Sequence, residues 1–129
     1  MRQRAGNIFF LLTHWRKVMQ NFPRGLGPAT AQYPEGAPSV AMMTGGTMTL
    51  KVFTPGTNAD GRDRQLPHDQ DELYLIHSGA GEIIIGDQRF SAAAGDAFFV
   101  AAGVVHRFEN FGKDFVTWVV FYGPTGGEK

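Results

Sequence analysis

From Val40 onward the chain is a succession of apolar runs four to eight residues long, each ended by a Gly-containing turn. Runs of that length, rich in β-branched and aromatic residues, fit strands and are too short for helices. Strands are expected over 40–43, 47–54, 72–77, 81–85, 88–90, 97–100, 106–110 and 115–122. The turn signals sit between them. Ser78-Gly79-Ala80-Gly81 links two runs, Gly86-Asp87 suggests a tight hairpin, and Ala94-Gly95-Asp96 precedes another run. Eight short strands with no helix between them predict an all-β sandwich or barrel. No internal repeat is visible, so one barrel is expected.

The region upstream has a different character. Residues 7–20 could form an amphipathic helix, with Ile8, Leu11, Leu12, Trp15, Val18 and Met19 roughly on one side. Residues 21–39 hold four of the seven prolines and read as an irregular linker. The expected organisation is an N-terminal arm over 1–38, a β-barrel over 39–124 and a flexible tail over 125–129. An alternative boundary has the β-domain stand alone from about Tyr33. The 129 residues fit one domain that can bury a core without disulfides.

Composition narrows the function. Formal net charge is zero and no Lys/Arg cluster reaches the density of a phosphate-binding patch, so nucleic acid is not an expected partner. There is no Cys, which excludes disulfides, thiolate metal sites and a Cys nucleophile. The apolar stretch Ile8-Phe9-Phe10-Leu11-Leu12 is too short for a secretory core or a membrane span. A soluble, cytoplasmic protein is expected, with no membrane partner.

The candidate chemistry lies in two short segments. Side chains on a strand alternate, so Glu72, Tyr74 and Ile76 share a face, expected to be the inner one. A carboxylate on an inner face is costly to bury unless something positive meets it, and a divalent metal is the simplest partner. In the second segment His106, Phe108 and Asn110 alternate with Arg107 and Glu109, as in a half-buried strand with the charged members outward. Two imidazoles and one carboxylate can bind a metal on one side and leave positions for water or substrate. Ordinary alternatives exist: Asp71-Glu72 as a solvated pair, His106 as a core histidine, Tyr74 as a packed strand tyrosine. His77 falls on the face opposite Glu72 and is expected to be structural or exposed. His14 is assigned no role.

Two motifs make the pattern specific. His68, three intervening residues, Glu72, six residues and Gly79 match the second half of G-x5-H-x-H-x3,4-E-x6-G. Gly95-Asp96, Gly103, His106 and Asn110 match G-D-x4-P-x-G-x2-H-x3-N at every spacing. These are the two motifs of the cupins, and from about Val40 to Gly123 the chain resembles a small single-domain cupin. The departures are Leu66 where the first motif histidine would stand, Asp60 at the opening glycine and Ala101 at the proline.

The resemblance implies a double-stranded β-helix, or jelly-roll, barrel. It implies His68, Glu72 and His106 as metal ligands, with Asn110 structural. Leu66 cannot ligate, so the family's usual four-ligand set is reduced to three. Iron(II), manganese, nickel and zinc all accept such a set. The expected function is metal-dependent chemistry on a small organic molecule by a dioxygenase, isomerase or lyase, with Tyr74 touching the substrate. The alternative is a small-molecule binding or sensing module that does no chemistry. Single-domain cupins commonly pair, so a homodimer is expected.

Overall fold

The computed structural model describes residues 39–129. The helix expected over 7–20 and nearly all of the linker lie outside them. Eight strands follow in order: β1 (Ser39–Gly45), β2 (Met48–Phe53), β3 (Asp71–Ser78), β4 (Ala80–Ile85), β5 (Gln88–Ala93), β6 (Ala97–Val100), β7 (His106–Glu109) and β8 (Val116–Tyr122). All eight expected strands form, with ends moved by at most a few residues. Among the described residues the one helical element is a 3-10 turn, Pro55–Thr57. No helix among them is long and apolar enough to cross a membrane.

The strands make two antiparallel sheets. One has the order β1-β2-β8-β3-β6 and the other β5-β4-β7. Hairpins join β1 to β2 and β4 to β5, while β3 pairs with both β8 and β6, far away in sequence. Crossing between sheets after β3 and back is the jelly-roll arrangement, and the fold is that of a jelly-roll barrel. The alternation on β8 shows how the chain builds it. Thr117, Val119 and Phe121 are buried, and the residues between them are only partly so.

The core fills the space between the sheets. Tyr74 and Ile76 from β3, Val119 and Phe121 from β8, Ile83 from β4 and Phe108 from β7 pack in one cluster. Phe108 lies at its centre. Its ring meets Tyr74 edge-on at 5.1 Å, Phe115 at 5.0 Å and Phe53 at 6.2 Å between centroids. Such pairs add specific geometry to the area they bury. A second cluster, Met42 and Val52 with Val40, Leu50, Val116 and Trp118, packs around β1, β2 and β8.

One glycine is required by the crossing. Gly79 turns the chain from β3 into β4 with φ +77°, and a Cβ there would lie 2.8 Å from Phe115 Cα. Both the left-handed backbone and the close approach exclude a side chain.

Candidate metal centre

The three motif residues come from three separate parts of the barrel. His68 lies in the segment leading into β3, Glu72 is the second residue of β3, and His106 opens β7. Glu72 pairs across the large sheet with Val100 and Phe121, while His106 sits opposite Ile85 in the small sheet. The site therefore lies between the sheets. Glu72 is 0% exposed and His106 2%. His68 is half-buried, its ring edge-on to Phe121 at 4.8 Å.

Backbone hydrogen bonds hold the His68 segment against the rest of the barrel. Gly103 N–H donates to the His68 carbonyl at 2.8 Å, tying the turn before β7 to the first histidine. Gly126 N–H donates to the Asp69 carbonyl at 2.7 Å. Gln70 Nε2 donates to the carbonyls of Thr47 and Gly123. Asp71 accepts from Ala102 N–H on one oxygen and Glu128 N–H on the other, both at 2.9 Å. Those donors, Glu128 first, hold the Asp71 carboxyl below the usual carboxylate range. Asp71 is buried and engaged, so Asp71-Glu72 is not a solvated pair. Its side chain ties the turn before β7 and the end of the chain to the start of β3.

The ligand atoms converge. One atom from each of His68, Glu72 and His106 can be chosen so that all lie within 4.8 Å of one another. His68 Nδ1 is 2.7 Å from Glu72 Oε1, and His106 Nε2 is 3.0 Å from Glu72 Oε2. Ligands bound to one ion at about 2.1 Å stand roughly 3–3.5 Å apart, so these spacings suit a shared cation. His68 Nδ1 and Glu72 Oε2 are buried yet make no well-directed hydrogen bond despite these short contacts. Buried polar atoms are normally hydrogen-bonded. Atoms that approach closely but do not aim at each other fit donors aimed at a common point.

The tautomer of His106 strengthens this. Its Nδ1 lies 2.8 Å from the Val104 carbonyl, which can only accept, so Nδ1 carries the proton. That leaves Nε2 facing Glu72, where a cation would take its lone pair, the arrangement a metal-binding imidazole needs. Electrostatics favour charge here. Burial opposes ionisation of Glu72, but His106 and His68 outweigh it and hold the carboxyl below its ordinary range. Burial likewise opposes charge on His106, but Glu72, the Val104 carbonyl and the Asp63 carboxylate raise its pKa.

Tyr74 is fully buried on the same face as Glu72. Its hydroxyl donates to Gln65 Oε1 at 2.7 Å and lies 3.0 Å from His106 Nε2. Burial first, then the Glu72 and Asp63 charges, push its pKa well above the ordinary tyrosine value, so it stays protonated. A cleft of about 250 Å³, lined by Thr49, Lys51, His68, Asp69, Gln70 and Phe121, reaches the His68–Glu72–His106 cluster at His68. A larger cavity of about 630 Å³ borders Asp63 and Phe108 but none of the three ligand residues.

Two differences from the sequence expectations have clear causes. Asn110 does not continue the inward set of His106 and Phe108. β7 ends at Glu109, and Asn110 takes φ +54°, a left-handed conformation that Asn tolerates. Its exposed side chain donates to Glu82. Gln65 and Asp63 had no role in the sequence reading. Both meet the site, because the extended segment 63–66 alternates: Asp63 and Gln65 turn inward, Arg64 and Leu66 outward. Period-two alternation was the available signal, hidden because none of the inward residues is apolar. Leu66, at the first motif histidine position, is 77% exposed. The outward readings hold elsewhere. His77 is exposed and accepts from Trp118 Nε1, and Arg107 pairs with Glu109 at 2.7 Å.

Comparison with known proteins agrees with this fold. An uncharacterized protein of Streptomyces coelicolor, SCO3923, is 39% identical over 75 residues, covering 58% of this chain and 71% of that one. A cupin superfamily protein from Desulfitobacterium hafniense superposes with a TM-score of 0.56 at 22% identity, over 81% of this chain and 96% of its own. The DMSP lyase DddQ from Ruegeria pomeroyi superposes at 0.52 and 18% identity, over 66% of this chain and 46% of its own. At these identities the two structures show a shared fold. The family described as "Cupin domain" matches residues 49–122, more than half of the chain, and the protein belongs to the cupin family.

Proposed function

We propose that this cupin holds a divalent cation on His68, Glu72 and His106 and acts with it on a small organic molecule. The observation that carries the reading is the convergence of buried lone pairs. A carboxylate with no solvent exposure meets one ring nitrogen from each of two histidines, with His106 Nδ1 held by the Val104 carbonyl. A buried carboxylate calls for positive charge, and a divalent cation between the two imidazoles supplies it.

Iron(II), manganese, nickel and zinc all suit two imidazoles and a carboxylate. When bound, such an ion supplies Lewis acidity or oxygen activation, which suits a dioxygenase, isomerase or lyase. The chain's own groups bind and orient. The cleft at His68 admits the small molecule, and the Lys51 ammonium, poised over the Phe121 ring, lines its wall. The Tyr74 hydroxyl stands on the His106 side with its proton given to Gln65, so its oxygen can accept a hydrogen bond from the bound molecule. Elemental analysis of the protein, as purified and after reconstitution with each of the four metals, is expected to return about one ion per chain. No stoichiometric metal under any of these conditions sinks the reading.

A second reading, a binding or sensing module without chemistry, draws support from Tyr74. Its hydroxyl is engaged internally and kept protonated, so it is no base. Ligand binding without turnover by the metal-loaded protein would favour this second reading.

Assembly as a homodimer belongs to the same proposal. Leu75 on β3 and Phe99 on the neighbouring β6 leave large apolar side chains exposed. Light scattering is expected to give twice the 14.1 kDa chain mass. A monomer mass contradicts it.

A further inference from the structure

We propose that Gln65 supplies a fourth donor to the cation through Oε1, and that Asp63 is the positioning residue that turns it there. The inference rests on the metal reading above and extends its ligand set beyond the two histidines and Glu72. Counting along the motif puts the fourth ligand at position 66. The structure puts Leu66 in solvent and its neighbour at the metal centre.

The geometry starts from Asp63, a buried carboxylate. Its Oδ1 accepts the Gln65 backbone N–H at 3.0 Å, and its Oδ2 accepts both Gln65 Nε2 at 2.6 Å and the Phe108 N–H at 2.8 Å. A carboxylate can only accept, so the Gln65 amide must turn its NH2 toward Asp63. Exchanging the amide oxygen and nitrogen would set two acceptors against each other at 2.6 Å. The Gln65 oxygen is thereby fixed toward the site, 3.1 Å from His106 Nε2. That spacing matches the 3.0 Å between His106 Nε2 and Glu72 Oε2.

Gln65 Oε1 has two partners. It accepts the Tyr74 hydroxyl proton at 2.7 Å, which uses one of its two lone pairs. On its other side it stands 3.1 Å from His106 Nε2, the atom that also meets Glu72. As a metal ligand His106 keeps its proton on Nδ1, at Val104, and so makes no donation from Nε2 to Oε1. Three acceptors from three segments therefore share one small buried volume. A neutral amide oxygen is a hard donor, which suits manganese, iron or zinc and adds no charge to the site.

The test is cobalt(II) and zinc affinity by chelator competition, with the visible cobalt spectrum as a readout of the ligand set. Gln65→Met keeps the side chain's length and removes the oxygen. It is expected to weaken binding about 10–100-fold and to shift the cobalt bands. Asp63→Asn has one acceptor oxygen for three donors and frees the amide to turn. It is expected to weaken binding about tenfold with a shifted spectrum, in protein whose circular dichroism shows it folded. Leu66→His, which would restore the motif ligand if position 66 faced the metal, is expected to change neither affinity nor spectrum. Gln65→Met and Asp63→Asn both binding within threefold of wild type with unchanged spectra overturns the inference, as does tighter binding by Leu66→His. Glu72→Ala in the same series separates the two ideas. Loss of metal in Glu72→Ala alone leaves the three-ligand site standing and removes Gln65 from it. Absence of binding by the wild type removes both.

Discussion

Glu72→Ala is expected to weaken divalent metal binding by at least about 100-fold, more than the loss typical of removing an outer hydrogen-bond partner of a ligand. Glu72 is the one charged group of the three and touches both histidines. Without it two neutral imidazoles face each other across a cavity. The same carboxylate raises the pKa of His106, so its removal also lowers that pKa toward the value set by burial. Glu72→Gln separates charge from shape. It keeps an oxygen and fills the same volume, yet it is expected to lose nearly as much affinity as alanine, because a carboxamide brings no charge to balance the ion. Titration of both variants with zinc against a chelator of known affinity measures the effect. Affinity unchanged in either variant means the ion binds elsewhere.

The largest effect on stability is expected from Phe108→Ala, at about 3–5 kcal/mol. The ring is 1% exposed and joins Tyr74, Phe115 and Phe53 across the space between the sheets. Removing it costs the transfer of its own surface and leaves a cavity that a β-barrel closed by long-range pairing cannot readily collapse. For a domain of this size each kcal/mol lowers Tm by about 4–8 °C, so a fall of at least about 12 °C is expected. Urea and thermal denaturation read it directly. The loss also reaches the His68–Glu72–His106 cluster, since Tyr74 would lose its edge-on neighbour while its hydroxyl still bonds Gln65. A loss below about 1 kcal/mol would place the core elsewhere.

Much of this architecture was legible because alternation and burial coincide. Strands such as β8 carry inward and outward residues in strict order, and the two motifs place Glu72 and His106 on inward positions of β3 and β7. His68 was legible only through its motif, since it precedes β3 and no strand period governs it. The polar scaffold around the site was not legible. Asp63 and Asp71 are buried carboxylates that accept backbone N–H bonds from distant segments, and half-buried Gln65 is held by Asp63 and the Tyr74 hydroxyl. A single sequence offers no local sign of such partners. Asn110 was misplaced for a related reason. A left-handed residue ends the strand one position early, and alternation cannot register a change of φ.

The central claim is that one divalent cation is held between the two sheets by His68, Glu72 and His106. Anomalous diffraction from crystals of the protein loaded with zinc or manganese tests it most directly. A single strong anomalous peak is expected within about 2.0–2.3 Å of His68, Glu72 and His106 ligand atoms. A fully loaded crystal with no peak between those three side chains, or with its ion bound at another place, would contradict it.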